Sequence, residues 1–473
     1  MADKRETVSI EVPKEWAEAV KKFIADVDGA RPEIRGGRAV DYAAFERSVE
    51  ESTAELEKNA HRRLLQSLDI DAERLVIQGK PHTRVGRYES TYKTRGGPVS
   101  VMRSLYREDG RRNAETVDAV SLRAGVVGDG WLPGTAKAMA FLLQQGTSRE
   151  AEMTGQQVGR LPYSRSSFER VGHEVGALYE VQHAPIEDAL IEEYRVPAEA
   201  RSISTGLDRV SVPMEEPLSR PVGRPRKGAP KKPVERNFRM AYVGNVTLHD
   251  EKGDAIHTIR YGRMPQGDAV GLAQGIGGDI ATLLSKRPDL KVELVMDGAP
   301  EMHNLLAPAV KEAVAPGVRV YDLVDLCHVV EKLSAAAVVI FGAESAETVH
   351  RWKMRLLNVH GAVWQILAEL HASGKETSAE DCPVHDAITY LTNSGERMNY
   401  AEARELALPI GSGNTEATCK TLFELRFKRA GSRWKAATGS HVVHLRALAL
   451  SDRWDAGVNR ALATLRAPVR LAA

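Results

Sequence analysis

The spacing of hydrophobic residues changes several times along the chain, and each change predicts a different element. Between residues 41 and 67, apolar positions recur at spacings of three, four and seven, which indicates one helical stripe: Tyr42, Phe45, Val49, Leu56, Ala60 and Leu64. This stripe could pack inside the chain or against a second copy, and another helix is predicted over 13–27. From about 73 to 107 the composition becomes β-rich around a Gly-Gly-Pro turn, which predicts a small basic sheet or hairpin.

The helical period returns between residues 133 and 190. Three short stretches are separated by glycine-containing turns, and the third begins just after Pro162 with Ser164, Arg165 and Ser167. Three helices with a polar, arginine-led third member are typical of a helix-turn-helix, which places the N-terminal residues of its recognition helix in the DNA major groove. An ordinary helical bundle is the alternative interpretation.

Beyond residue 200 the pattern predicts a mixed α/β sheet. Three strand-like runs come first, "RSISTGLDRVSVPM", "FRMAYVGNVTLHD" and "AIHTIRYGRM", and a hairpin turn joins the last two. A helix over about 268–287, the strand "KVELVMDGAP", the helix "EMHNLLAPAVKEAV" and the strand "GVRVYDLVDL" follow. Residues 327 to about 405 are predicted to be helical, a last helix opens at Gly411, and no further strand is expected.

Charge is segregated along a nearly neutral chain. The 473 residues carry a formal net charge of +1, yet the segments 220–236 and 420–446 each hold seven Lys or Arg and one acid. Such segregation indicates local binding sites for polyanions. The three cysteines form no CxxC pair, which argues against a structural zinc site and a disulfide framework. No apolar run approaches the roughly 20 residues of a membrane span, and a signal-peptide core is missing, so we expect a cytoplasmic protein with no membrane partner.

Three carboxylates fall where an α/β sheet gathers functional groups. Asp208 lies within the first strand, Asp297 at the carboxyl end of the fourth strand, and Glu416 in the first turn of the late helix. If that helix crosses the sheet, the three acids meet, and they stay ionised only when a cation joins them. Oxygen ligands select Mg²⁺ or Mn²⁺, and two such ions, about 3.5–4 Å apart, clamp the attacking and leaving oxygens of a phosphodiester.

Each acid also has an ordinary structural explanation. Asp208 could be an exposed strand residue, Asp297 a turn former, and Glu416 an acid favoured by the helix dipole. Other acids lie close by in sequence: Glu293 lies on the same strand face as Asp297, and two glutamates at 215–216 end the first strand. We interpret the glutamates at 215–216 as a solvated strand end and leave Glu293 open.

Five sequence blocks resemble those of bacterial insertion-sequence transposases of the DDE class, and among these the ISKra group most closely. They are "STGLDRVSVPMEEP", "VMDGAPEMHNLL", "DLVDLCHVVEKL", "MNYAEARELALPIGSGNTEATCKTL" and "KRAGSRWKAATGSHVVHLRALALSDRWD". The blocks run from about residue 200 to 460, and the hairpin and helices upstream resemble the same family more weakly. The stretch around Glu416, "GSGNTEATCK" followed by "KRAGSRW", is the most specific.

The resemblance implies an RNase H-like catalytic domain with an all-helical insertion between the second aspartate and the glutamate. It implies that Asp208, Asp297 and Glu416 are the catalytic acids and that they bind two Mg²⁺ or Mn²⁺ ions. Asp325 and His328 match an Asp-x-x-His element of related transposases and would support catalysis. The implied reaction is hydrolysis of a phosphodiester at the ends of the element, followed by transfer of the freed 3′-hydroxyl into target DNA.

DNA is therefore the expected partner, both at the terminal repeats of the element and at the target, and we expect a homodimer or higher homo-oligomer bound to it at the bacterial nucleoid. The helix-turn-helix residues Ser164, Arg165 and Ser167 are predicted to contact DNA. The two basic segments are predicted to add further contacts: Arg224, Arg226, Lys227, Lys231, Lys232, Lys420, Arg426, Lys428, Arg429 and Arg433. "VGRPRKG" contains the Gly-Arg-Pro core of minor-groove AT-hooks, although a sequence-blind phosphate clamp or a solvated charge run would also explain it.

The predicted organisation has five parts. They are a helical N-terminal region over 1–70 that could dimerise, a small basic β region over 71–130, a helix-turn-helix-like region over 131–198, a catalytic domain over 199–326 and 406–473, and a helical insertion over 327–405. Two other functions stay open. One is a nuclease of the same fold that cuts without joining, and the other is a catalytically idle DNA-binding regulator derived from a transposase.

Overall fold

The computed structural model describes residues 9–29, 39–217, 234–376 and 382–472. The chain divides into two compact units. The first unit consists of Met1–Tyr179 together with Val458–Ala473, and the second is Glu180–Gly457. The end of the chain therefore groups with the first unit, whereas the sequence analysis had assigned it to the catalytic domain.

A five-stranded antiparallel sheet organises the first unit. Its strands are β1 (Arg74–Ile77), β2 (Lys80–Thr94), β3 (Gly97–Glu108), β4 (Thr116–Asp118) and β10 (Val469–Leu471), in the order β10-β1-β2-β3-β4. Its helices are α1 (Ala17–Gly29), α2 (Tyr42–Leu68), α3 (Ala119–Ala124), α4 (Pro133–Gln145), α5 (Ser148–Gln157) and α6 (Arg165–Val181). The strand β10 was not predicted; it is bound to the sheet because Leu471 pairs with Leu75 in antiparallel register.

The long helix α2 contributes less to the core than its apolar stripe predicts. Of the predicted stripe, Tyr42 and Leu64 are 64% and 63% exposed. The side chain that packs with the sheet residues Tyr92 and Val101 is instead Leu65. A shift of one residue rotates the direction of a helical side chain by about 100°, so Leu65 faces the sheet where Leu64 does not. Other members of the predicted stripe are half-buried: Phe45, Val49 and Leu56.

A mixed five-stranded sheet organises the second unit, as the sequence predicts. Its strands are β5 (Ser202–Pro217), β6 (Val234–His249), β7 (Ala255–Arg263), β8 (Lys291–Met296) and β9 (Val320–Val324), in the order β7-β6-β5-β8-β9. The first three strands pair antiparallel, whereas β8 runs parallel to both β5 and β9. The strand β5 is therefore central, with the antiparallel strands β6 and β7 on one side and the parallel strands β8 and β9 on the other.

Helices precede, connect and follow the strands of this sheet. They are α7 (His183–Glu193), α8 (Ala269–Lys286), α9 (Pro300–Ala313), α10 (Leu326–Phe341), α11 (Ser345–Asn358), α12 (Ala362–Ala372), α13 (Pro383–Ser394), α14 (Tyr400–Glu405), α15 (Gly413–Thr418), α16 (Leu425–Phe427) and α17 (Ala436–Leu450). The last helix, α18 (Trp454–Ala463), includes the boundary between the two units. A π-helical turn, Cys419–Glu424, joins α15 to α16. Because side chains alternate along a strand, Ile203 and Leu207 of β5 pack with α8 and α9, while Val210 and Val212 pack with the segment after Cys419.

The described residues between β9 and α15 are helical, as predicted. By length and composition alone, one stretch of them, Leu326–Asn358, could cross a membrane. It is not one straight helix, because a 3₁₀ turn that begins at Gly342 (φ 52°) separates α10 from α11. Leu333 of α10 and Trp352 of α11 are buried in a common hydrophobic core, which is the packing of helices inside a folded domain.

Close packing of α15 on β5 depends on one glycine. A Cβ atom at Gly206 would meet the Thr415 hydroxyl of α15 and would lie 2.8 Å from the carbonyl oxygen of Val295. We expect Gly206→Val to lower the free energy of unfolding of the second unit by about 1–3 kcal/mol, because an overpacked core must shift its neighbours. Urea-induced unfolding measures this change.

A matched control is Gly278→Ala in helix α8, where a Cβ would meet nothing within 4 Å. This substitution should raise the free energy of unfolding by about 0.5–1 kcal/mol, because alanine favours a helix over glycine. An unchanged unfolding midpoint for Gly206→Val would mean that α15 does not approach β5 closely.

Candidate active site

Asp208 lies in the middle of β5, on the sheet face that α15 and the π-helical turn cover. It is half-buried. The thiol of Cys419, in the π-helical turn, donates a hydrogen bond to Asp208 Oδ2 at 3.4 Å, and the backbone N–H of Arg209 donates to Oδ1. Burial, followed by the charge of Asp208, raises the pKa of the Cys419 thiol. The thiol therefore stays protonated and can donate its hydrogen bond to Asp208.

Asp297 follows β8 directly, at its carboxyl end. Its Oδ1 accepts a hydrogen bond from the backbone N–H of Ala299 at 3.2 Å. Burial and the nearby charge of Asp208 raise the pKa of Asp297, against the opposing effects of the Ala299 bond and of His328. Gly298 leaves room for the ring of Tyr390 from α13, because a Cβ there would overlap that ring. The helical insertion thus contacts the turn that carries Asp297.

Asp325 connects three segments that carry site residues. Its backbone N–H donates to the carbonyl oxygen of Met296 at 2.7 Å, next to Asp297. Its Oδ1 accepts the N–H of Cys327 at 2.6 Å and so caps α10. Its Oδ2 accepts both the N–H and the hydroxyl of Ser412, each at 2.5 Å, at the start of α15. Asp325 is 1% exposed.

These donors decide the ionisation of Asp325. Burial works to raise its pKa, but the bonds from Ser412 and Cys327 and the neighbouring His328 outweigh burial and lower the pKa below its ordinary value. A carboxylate that accepts several hydrogen bonds is held as the anion. Asp325 therefore keeps its charge inside the fold and fixes the N-termini of α10 and α15 relative to β8.

Glu416 lies in the first turn of α15 and is exposed. The preceding residue, Thr415, donates a hydrogen bond to the Asn245 side chain of β6 at 2.7 Å. Thr415 also packs on Gly206, and Cys419 one turn later reaches Asp208. Contacts with the sheet are therefore made both before Glu416, by Thr415, and after it, by Cys419.

Three of the predicted site residues come together tightly. One ligand atom each from Asp325, His328 and Glu416 lies within 4.8 Å of the other two. Two carboxylates and an imidazole suit Mn²⁺ and related divalent ions, and carboxylates suit Mg²⁺. This donor set therefore fits a divalent cation. Among the described residues, Asp208 and Asp297 do not join a group of this spacing, although their charges influence each other.

Two other acids near the site, Glu293 and Glu216, are either buried or paired with an arginine. Both carboxyl oxygens of Glu293 are buried without a hydrogen-bond partner in the described chain, and burial raises its pKa well above the ordinary value. Glu216 accepts two bonds from the Arg239 guanidinium across the β5–β6 pair, at 2.8 and 3.1 Å. Bonds from Arg239 and Asn237 lower the pKa of Glu216 to about 2.

The basic residues after Glu416 fall into two groups. Arg426 is 5% exposed and its guanidinium stacks on the Trp434 ring at 4.7 Å, so little of this side chain is available to DNA. Trp434 is itself bound to β5 through its backbone N–H, which donates to Pro213 at 3.1 Å. Lys428 pairs with Glu424 at 2.9 Å. Four of the predicted cations are exposed: Lys420, Lys428, Arg429 and Arg433.

In the first unit, Ser164 and Arg165 are exposed at the start of α6, and Ser167 is half-buried. The Arg165 side chain donates to the Ser148 hydroxyl of α5 at 3.0 Å, which ties the two helices together. The strands are less available to a polyanion than the sequence predicts, because their cations pair with acids: Arg84 and Arg87 with Asp71, Lys93 with Asp129, and Arg103 with Asp118. The predicted contacts Arg224, Arg226, Lys227, Lys231 and Lys232 lie outside the described residues.

Sequence reasoning missed the residues that position the acids. Cys419, Thr415 and Ser412 stand inside the block "GSGNTEATCK", but their contacts are with residues more than 80 positions away in sequence. Ser412 precedes α15 but makes no side-chain cap bond to it, and its hydroxyl instead donates to Asp325. The only available signal was the dense polar composition of that block.

No protein-family model and no curated protein sequence matches this chain. Among solved structures, it is similar to the Drosophila P element transposase strand transfer complex, with 12% identity and a TM-score of 0.26 over 67% of this chain and 79% of that chain. It is also similar to the Mos1 transposase paired-end complex with left transposon end, with 14% identity and a TM-score of 0.15 over 57% of this chain and 78% of that chain. Both TM-scores are low and do not establish a shared fold.

The contact between Asp325 and Ser412 can be tested by stability. We expect Ser412→Ala to lower the free energy of unfolding by about 1.5–3 kcal/mol, the usual contribution of a hydrogen bond to a charged group. The pKa of Asp325 is lowered in the folded protein, so its stabilisation is present at neutral pH and is lost as the pH falls below about 4. The loss caused by Ser412→Ala should therefore shrink in acid, as urea-induced unfolding at several pH values would show.

Ser285→Ala is the matched control, because the Ser285 hydroxyl donates only within its own helix, to the Thr282 carbonyl. Its effect should stay within about 0.5 kcal/mol at every pH. If Ser412→Ala behaves like this control, the contact with Asp325 does not hold α15 in place.

Proposed function

We propose that this protein is a DNA transposase of an insertion sequence, of the ISKra type and with an RNase H-like catalytic domain. The observation that carries the proposal is the position of several acids near the carboxyl end of β8, beside the central strand β5. Asp297 follows β8, Asp325 is hydrogen-bonded to the adjacent Met296 and to the start of α15, and Glu416 lies on α15 beside a contact with Asp208. Such a gathering suits phosphodiester chemistry with divalent cations.

The order of elements supports the same proposal. A central strand with Asp208, two antiparallel neighbours on one side and two parallel strands on the other agree with the sheet that the sequence resemblance implies. The helices between Asp325 and Glu416 agree with an all-helical insertion. The three acids that the resemblance implies to be catalytic lie on or next to these elements, Asp208 in β5, Asp297 after β8 and Glu416 in α15.

The proposed reaction has two steps, and each step replaces one bond to a phosphorus atom with another. Water attacks the phosphodiester at the end of the element and frees a 3′-hydroxyl, and that hydroxyl then attacks a phosphodiester of the target DNA. Each bond that breaks is replaced by one that forms, so no high-energy cofactor is required. When bound, two Mg²⁺ or Mn²⁺ ions would lower the pKa of the attacking hydroxyl group and neutralise charge on the phosphate.

The side chains of this chain have separate roles in that proposal. Asp208, Asp297 and Glu416 hold the cations, with Asp325 and His328 next to Glu416 as further donors. Asp325 also fixes the position of Glu416 through Ser412. His328 is half-exposed, and its Nδ1 lies 3.3 Å from a carboxyl oxygen of Glu331.

DNA would be held by exposed cations and by the first unit. Lys420, Arg429 and Arg433 follow Glu416 along the chain and face solvent. Ser164, Arg165 and Ser167 start the helix that we propose for recognition of the terminal repeats. The segment with Arg224, Arg226, Lys227, Lys231 and Lys232 would add phosphate contacts. We propose a cytoplasmic homodimer or higher oligomer that assembles on DNA at the nucleoid.

Two other functions have the same fold but different products. A nuclease would cut the ends of the element without joining them to a target, and an idle regulator would bind DNA without cutting. Purified protein, Mn²⁺ and labelled element ends with a target plasmid separate all three, because only a transposase yields both nicked and joined products. Bound but uncut ends would favour the regulator.

Substitution of the acids tests their role. We expect Asp208→Ala, Asp297→Ala and Glu416→Ala each to reduce cleavage by at least about a thousandfold, because each removes charge that stabilises the developing transition state. Binding to labelled ends in the absence of metal should change less than about threefold. Mn²⁺ titration calorimetry on the same variants should show weaker binding, by about tenfold or more.

The control is Glu424→Ala, which removes an exposed acid from the same helical segment that pairs with Lys428 and lies outside the metal-compatible group. It should cleave like the wild type. Near-normal cleavage by a variant of Asp208, Asp297 or Glu416 would remove that residue from the catalytic set.

The salt dependence of binding tests the exposed cations. Replacing Lys420, Arg429 and Arg433 together with Ala should reduce the slope of log affinity against log salt by up to roughly 2.7, at about 0.9 for each phosphate contact. Fluorescence anisotropy of labelled duplex at several salt concentrations measures the slope.

A matched triple variant replaces three exposed cations on other elements of the second unit, Lys252, Lys311 and Arg351. Its slope should stay close to that of the wild type. Equal slopes for both triple variants would show that the cations after Glu416 do not contact DNA.

A further inference from the structure

A cavity of about 580 Å³ opens in the second unit, beside the edge strand β7. Helices α7, α8 and α17 and the loop after β7 enclose it. None of the residues that the proposed catalytic site uses lines it. Its volume lies in the range of sites for small organic molecules, which is about 300–1,000 Å³.

Glycine keeps one wall of this cavity open. Gly275 lies inside α8 and lines the cavity, and a Cβ at this position would meet nothing within 4 Å. Glycine inside a helix costs about 1 kcal/mol relative to alanine. The loop that closes the cavity is also locally strained, since Gln266 has φ of 70°. A wall built in this way leaves space where a larger side chain would fit.

The charged groups of the cavity are mostly acids. Five carboxylates line it, on Glu180, Glu187, Asp188, Asp268 and Asp279, against a single guanidinium among its described lining residues. That guanidinium, on Arg263, is already 3.5 Å from Glu187. His444 adds no charge at neutral pH, because burial and Arg263 lower its pKa well below the ordinary value. The cavity is therefore negative.

Asp279 forms the innermost of these groups. It is 4% exposed, and one of its oxygens accepts a hydrogen bond from the Tyr261 hydroxyl of β7. Apolar side chains surround the acids, including Leu272 and Ile276 of α8 and Met264 of the loop. Methylene groups would pack on these side chains while a cation reached Asp279.

We propose that this cavity binds an aliphatic polyamine. Ammonium groups complement the carboxylates, and the methylene spacers between them suit the apolar wall. A lone divalent ion fits less well, since the described residues of the cavity contain no metal-compatible group of close ligands. The site is separate from the proposed catalytic site, and its test does not depend on DNA cleavage.

Binding should be linked to a proton. Burial raises the pKa of Asp279 to about 7, while the bond from Tyr261 and the charge of Arg453 oppose this and Glu187 and Asp188 add to it. An ammonium beside Asp279 favours its charged form and lowers that pKa. Polyamine binding should therefore release protons near neutral pH and tighten between about pH 6 and pH 8.

Titration calorimetry with spermidine on the full-length protein tests the proposal. We expect saturable binding whose heat changes with the ionisation enthalpy of the buffer, because a proton is released. Gly275→Leu fills the open wall and should weaken binding by at least about tenfold while the protein stays folded. Asp279→Asn keeps the bond from Tyr261 but removes the charge, and should both weaken binding and abolish the buffer dependence.

Gly278→Leu is the matched control, since Gly278 lies in the same helix, has equally open surroundings and does not line the cavity. It should bind spermidine like the wild type. Triethylene glycol, which has similar length but no charge, should not bind. Equal spermidine affinity in the wild type and in Gly275→Leu, or equal competition by Mg²⁺, would show general attraction to surface acids and would overturn the proposal.

Discussion

The position of the proposed site depends on the buried carboxylate of Asp325. Its two oxygens accept three hydrogen bonds, from Ser412 and Cys327, and its own N–H continues the ladder to Met296. A buried anion is stable only when donors surround it, so Asp325 cannot move without exposing its charge to the core or leaving those donors unpaired. The end of β8 and the starts of α10 and α15 are thereby fixed together, although they are far apart in sequence.

The second constraint is how closely α15 lies on the sheet. Gly206 offers no side chain, so Thr415 reaches Asn245 in the neighbouring strand. The π-helical turn that follows brings Cys419 to Asp208. π-Helical turns are rare and often occur at functional sites, and here the wider turn lies where the helix passes the aspartate. The acids are thus held by polar contacts on this face of the sheet.

The regular elements could be predicted from sequence, whereas the contacts that place the site could not. Periods of two and 3.6 predicted the five strands of the second sheet, with Asp208 inside the first of them and Asp297 at the end of the fourth. Long-range hydrogen bonds leave no such period, so the bond from Ser412 to Asp325 could not be predicted from the sequence. The three-residue strand β10 was missed because its pairing with β1 depends on the fold and not on local composition. Arg426 looked like a DNA contact because charge alone does not report burial.

Both ion pairing and exposure affect how strongly a cation can attract a polyanion. Arginines of the first sheet are paired with aspartates, and Lys428 is paired with Glu424. Exposed pairs contribute little to stability, but each lowers the positive potential that DNA would meet. The exposed Lys420, Arg429 and Arg433 lie between Glu416 and Trp434, a stretch whose far end is bound to β5. A nearly neutral chain can therefore concentrate its attraction for DNA beside the acids, and that is where the proposed chemistry would need it.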